Sequence, residues 1–386
     1  MAASKQRRRR LGLLAVLAVF VVSTLTKTME FYGQEALLSQ SIYDYLPSFS
    51  DLPGPDDPST FSACLMWMDE NHRLPEWLAY HYHTVNLRYV VVAVDPYAKT
   101  SPSDVLDRWG SKMILIEWHD EDYRNETHYR GPNDSAQTKR ARHRARQSAF
   151  FEACSRHLQE NDRGWTLYID VDEFMAYNPL HHNGTDLSQP GALIPLLTDV
   201  PDDVKCNIVP RTLITSVEST DDEIRANVPL GLDPYRLDTL RWRHRGRPLP
   251  KGEGLAKSIM DVSSLNESDY VKGGTAHRPL RVPCPHVFRE YDAPIGAHHY
   301  IGSWESYSSR DDARNGKLRN REVWEERALL DEGGPDDVIR PWIRGFVNSV
   351  GLAQAKKLLA GNGFPRNATN EEEEVTNVED EAATSE

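Results

Sequence analysis

Four strand-length runs are predominantly apolar and do not alternate with polar residues: FSACLMWM (Phe61–Met68), RYVVVAV (Arg88–Val94), KMILIEW (Lys112–Trp118) and WTLYI (Trp165–Ile169). A strand with one wet face alternates apolar and polar residues, whereas a continuous run is dry on both faces. Helix-like segments separate the runs. RLPEWLAYHYHTV (Arg73–Val85) has Pro75 in its first turn, SPSDVLDRWG (Ser101–Gly110) has Pro102 early and Gly110 as its stop, and a long helix is expected over Thr138–Glu160. Dry strands alternating with helices predict a mostly parallel sheet covered on both sides, an α/β fold of the Rossmann type.

The rhythm changes after Asp172. KCNIVPRTLI, GLAKSIMDV and APIGAHHYIGS read as strand-like pieces between long polar loops, so mixed strands should close one edge of the sheet. Residues 320–360 read as helical. The expected order is a basic tail (1–10), an apolar segment (11–25), a linker (26–60), a folded body (61–360, divided at residue 178) and an acidic tail (361–386).

The apolar segment, LGLLAVLAVFVVSTL, follows KQRRRR. Its 15 residues are fewer than the ~20 that comfortably span a bilayer, and they suit a signal-peptide core or a short anchor. No Ala-x-Ala cleavage site follows, which favours an uncleaved signal anchor. The basic cluster would hold the N-terminus in the cytosol and send the body into the lumen. The expectation is a single-pass type II membrane protein of the Golgi or secretory pathway. Five Asn-x-Ser/Thr sequons, at Asn125, Asn133, Asn183, Asn266 and Asn367, agree with that route. The four cysteines, Cys64, Cys154, Cys206 and Cys284, fit no zinc spacing and could be disulfide-bonded or free and buried. The net charge of −13 argues against a nucleic-acid binder.

Ligands of open parallel sheets sit at the carboxyl ends of the strands. There the chain places Asp95, the cluster Asp120–Asp122, and WTLYIDVDEF with Asp170, Asp172 and Glu173. Asp170 and Asp172 should share a face of an extended segment, and Glu173 should point away. Two hard carboxylates with open positions suit Mg²⁺ or Mn²⁺ carrying phosphate oxygens. No glycine-rich phosphate loop is present, so positive charge must come from elsewhere: a metal, or the basic helix with Lys139, Arg140, Arg142, Arg144 and Arg146. Arg140, Arg144 and Gln147 are spaced to share one face of that helix.

CLMWMDENHRLPEWLAYHY, RGWTLYIDVDEFMAYN, KSI (Lys257–Ile259), AHRP (Ala276–Pro279) and HHYIGSWESY (His298–Tyr307) together resemble, in order, blocks of family 92 and family 2-like glycosyltransferases. The resemblance covers roughly residues 61–315. It implies a GT-A fold with a nucleotide-sugar half (61–178) and an acceptor half (179–360). It further implies metal-dependent transfer of a sugar, such as a hexose, from a UDP-linked donor to a glycan acceptor, with inversion. Asp172 would be the principal ligand of Mn²⁺ or Mg²⁺. Asp170 would hold the ribose or the metal, and His299, or else His277, would complete the set. Asp95, Arg144, Gln147, Asp170 and Lys257 would contact the nucleotide sugar. Glu305 would be the general base, and Trp304 and Tyr307 could stack on a sugar. Two other classes remain: a membrane-anchored sugar-binding protein without catalysis, and a luminal hydrolase using Asp170 and Glu173.

Overall fold

The computed structural model describes residues 52–124, 135–182, 184–198, 204–246, 256–270, 277, 279–280, 293–309, 320–330 and 333–364. The apolar segment, four of the five sequons and Cys284 lie outside these residues. Asn266 is described and is exposed. No described helix is long and apolar enough to cross a membrane.

The central sheet has six strands in the order β3-β2-β1-β4-β8-β6. These are β1 (Phe61–Trp67), β2 (Leu87–Val94), β3 (Ile114–Trp118), β4 (Trp165–Tyr168), β6 (Cys206–Val209) and β8 (Lys257–Asp261). Strands β1 to β4 pair in parallel, and β8 runs antiparallel to both β4 and β6. The expected α/β class with a mostly parallel sheet is therefore present. Every residue of β2 is buried, Arg88 included, as a strand covered on both faces requires, whereas the edge strand β3 is half-buried throughout.

A second sheet, β5-β9-β7, is built from β5 (Glu173–Tyr177), β7 (Arg211–Ile214) and β9 (Ile295–Tyr300). Pro210, which has no N–H to donate, separates β6 from β7, and the two strands enter different sheets. Strands β6 and β8 come from beyond residue 178, so both halves of the body contribute to the one central sheet.

Helix Leu74–Thr84 is buried along its whole length, between the sheet and helix Trp342–Val350. Helix Ala136–Glu160 starts at Ser135, whose side chain accepts the Thr138 N–H, and buries Phe150, Phe151, Cys154 and Leu158. A Cys64–Cys154 disulfide ties this helix to the central strand β1 across 90 residues of chain. Cys206 is disulfide-bonded as well.

Candidate active site

Strand β4 ends at Tyr168, and the chain then folds back on itself. The Glu173 N–H donates to the Asp170 carbonyl (3.0 Å), and the Asp170 N–H donates to Glu173 Oε2 (2.8 Å). The acidic block is thus a turn between two sheets and not an extended strand end. This corrects the expectation that Glu173 points away from Asp170. Asp170, Asp172 and Glu173 each bring a carboxylate oxygen within 4.8 Å of the others.

The three acids have different environments. Glu173 is fully buried between Arg211 (2.9 Å) and Lys257 (3.1 Å), and burial raises its pKa against the pull of Lys257. Asp170 is half exposed and holds Lys257 Nζ at 2.5 Å. Asp172 lies 3.4 Å from Arg73 Nη1 and 3.4 Å from His299 Nε2. A hydrolase built on Asp170 and Glu173 fails here because the Glu173 carboxylate does not reach solvent.

A cavity of about 170 Å³ opens at the carboxyl ends of β1, β2 and β4. It is lined by Asp95, Gln147, Asp170, Asp172 and His299, all expected at a site, and also by Glu70, His143 and Arg146. Arg146 is buried and ion-paired with Asp95, and its Nε is 3.3 Å from Asp120 Oδ1. The acidic cluster after β3 therefore supports the site through Arg146. Asp69 holds the neighbouring loops together: its carboxylate accepts the Lys99 and Thr100 N–H groups at 2.7 and 2.9 Å.

Other expected residues fall elsewhere. Arg144 is exposed and does not line the cavity; the same helix presents His143, Arg146 and Gln147 instead, a cluster at spacings of three and four. The side chains of Lys139 and Arg140 lie outside the described residues. Lys257 is buried and reaches the site only through Asp170 and Glu173. Glu305 is half-buried at the start of helix Trp304–Ser309 and does not line the cavity. Trp304 packs against Tyr307 and Trp324, so its ring is engaged in the protein. His277 binds the Ala256 carbonyl through Nδ1 (3.0 Å), outside the cavity lining. Glu70 and Arg146 were each visible in the sequence, but only as one acid or one arginine among several.

The donor set fits a divalent cation through its carboxylates: Asp170 and Asp172 are hard oxygen donors facing an open, polar space. His299 is different. Arg211 Nη2 lies 2.6 Å from His299 Nδ1, and an arginine only donates, so Nδ1 accepts and the ring proton sits on Nε2, facing Asp172. Burial, then Arg211, pushes the His299 pKa down to about 4, so the ring is neutral at pH 7. As arranged, both ring nitrogens are engaged within the protein.

No protein-family model matches the chain, and neither does any curated protein sequence. Several solved structures are similar in part. Glucosyl-3-phosphoglycerate synthase from Mycobacterium tuberculosis in complex with phosphoglyceric acid is 11% identical with a TM-score of 0.24, over 53% of this chain and 57% of that one. The same enzyme with Mn²⁺ and UDP-glucose is 15% identical with a TM-score of 0.21, over 40% and 44%. A mycobacterial protein is 14% identical with a TM-score of 0.27, over 65% and 71%. The chain thus spans a little over half the length of the first of these.

Proposed function

We propose that this protein is a metal-dependent glycosyltransferase, moving a sugar from a UDP-linked donor to a glycan acceptor. The observation that carries this reading is the cavity itself. Asp95, Gln147, Asp170, Asp172 and His299, drawn from four separate stretches of sequence, meet at the carboxyl ends of parallel strands. Asp172 and Asp170 would hold Mn²⁺ or Mg²⁺. When bound, the cation supplies neutralisation of charge on the departing diphosphate.

The chain's own residues provide the rest. Arg146 fixes Asp95 at the end of β2, where a nucleoside would enter, and Gln147 offers an amide on the same wall. Lys257 and Arg211 hold Glu173, and Lys257 also holds Asp170, so the turn carrying the carboxylates is fixed from beneath. Arg73 steadies Asp172 while binding Asp238 (3.0 Å) and the Ile301 carbonyl (2.9 Å). Hexosyl transfer with inversion, family 92 membership and a type II Golgi orientation belong to the same proposal. Their support is the sequence blocks and the basic-apolar N-terminus.

The test is a panel of nucleotide sugars assayed for hydrolysis and transfer with Mn²⁺ and with chelator. Turnover of at least one donor that stops in chelator is expected. Flat results for every donor would contradict the proposal.

A further inference from the structure

A second cavity, of about 180 Å³, lies on the small sheet away from the acidic turn. Side chains alternate along a strand, so His299 faces the acidic cavity and His298 faces the other way. His298 pairs across the sheet with Phe174 and Thr212, and Gly296 pairs with Ala176. Ala176, Gly296, Thr212 and His298 all line the second cavity. Its floor is small because of Ala176 and Gly296. A Cβ at Gly296 would already sit 3.3 Å from the Pro210 carbonyl oxygen, so larger side chains would close the slot.

The polar chemistry is specific. His298 is 4% exposed, and its Nε2 lies 3.3 Å from Asp336, which also binds Arg245 Nε at 2.7 Å and the Val338 N–H at 3.0 Å. A carboxylate accepts, so Nε2 carries the proton and Nδ1 presents a lone pair. That Nδ1 is buried and has no hydrogen-bond partner among the described residues. A buried acceptor left unpaired costs free energy that a donor from a ligand would recover. The remaining lining is Tyr177, Asn178, Pro179, Leu180, Pro210, Ala293 and Arg245, whose guanidinium is ion-paired with Asp336, with Leu180 74% exposed at the rim.

We propose that this slot is a second carbohydrate site, holding a single pyranose ring. One hydroxyl of the ring donates to His298 Nδ1, and its C–H face lies on Tyr177 and the prolines. An anion is disfavoured, because a carboxylate or phosphate oxygen would meet the Nδ1 lone pair, and the one cation in the lining, Arg245, is already neutralised by Asp336. The volume suits one ring and not a drug-sized ligand, whose pockets start near ~300 Å³. The choice of a sugar over another hydroxylated ring rests on the transferase reading and would place part of the acceptor glycan. The slot itself does not depend on metal-dependent transfer.

The experiment is saturation-transfer NMR of the full chain with methyl glucopyranoside and methyl galactopyranoside, repeated with UDP and Mn²⁺ present. Binding of one of them is expected, unchanged by UDP and Mn²⁺ and unchanged in Asp172→Asn. It should weaken about tenfold, the scale of one lost hydrogen bond, in His298→Phe, and comparably in Leu180→Asp. Leu180→Asp alters an exposed side chain, so it decides the matter even if His298→Phe fails to fold. No pyranoside binding at any soluble concentration would overturn the proposal, as would binding that survives Leu180→Asp. Pyranoside binding without any nucleotide binding would support this site and count against the transferase reading alone.

Discussion

Lys257 Nζ lies 2.5 Å from Asp170 and 3.1 Å from Glu173, so one buried cation on β8 holds both ends of the acidic turn. Removing it leaves Glu173, in a dry site, with Arg211 and the Asp170 N–H as its partners among the described residues. Breaking a buried ion pair from one side costs about 3–5 kcal/mol. Lys257→Met should therefore lower the unfolding free energy by about that much. Urea denaturation checks it; an unchanged midpoint would mean that the turn is held by something else.

Gly302 has φ +78, and a Cβ there would collide with the Arg73 guanidinium that pairs with Asp172. Gly302→Ala should cost about 1–3 kcal/mol in strain. Because Arg73 must move, turnover should fall on the order of 10²-fold as well. Full activity in a stable Gly302→Ala protein would show that Arg73 does not set the position of Asp172.

His81, buried in helix Leu74–Thr84, donates from Nδ1 to the Trp77 carbonyl (2.9 Å) and accepts the Met175 N–H at Nε2 (3.4 Å). Burial lowers its pKa to about 3. Since the folded pKa is depressed, the contribution of His81 is complete above the unfolded value of about 6.5 and is lost as pH falls towards 3. Wild type should lose about 2–3 kcal/mol relative to His81→Gln between pH 7 and 4.5. A difference between the two that does not vary with pH would contradict a neutral buried His81.

The parallel sheet was legible because strands buried on both faces cannot alternate, and β1, β2 and β4 keep to that. The acidic turn was legible as chemistry but not as shape. Strand β5 was missed because its first residue, Glu173, reads as part of the metal motif, although it is a buried anchor paired with Arg211 and Lys257. The resemblance implied that Lys257 contacts the nucleotide sugar; its burial at 1% exposure was not legible, because the carboxylates that pair with it lie 84 or more residues away in sequence. Arg146 was indistinguishable from its neighbours until the fold showed which arginine the helix turns towards Asp95. The change in strand pattern after Asp172 was legible too, and β8 and β6, both from beyond it, close one edge of the central sheet.

In the proposed reaction Asp170 and Asp172 would hold a cation that in turn holds a nucleotide diphosphate. Calorimetric binding of UDP to wild type and to Asp172→Asn, each with Mn²⁺ and with chelator, tests it most directly. Mn²⁺-dependent binding to wild type is expected, weakened at least about tenfold in Asp172→Asn with the fold unchanged. UDP binding of equal strength in chelator, or in Asp172→Asn, would contradict it.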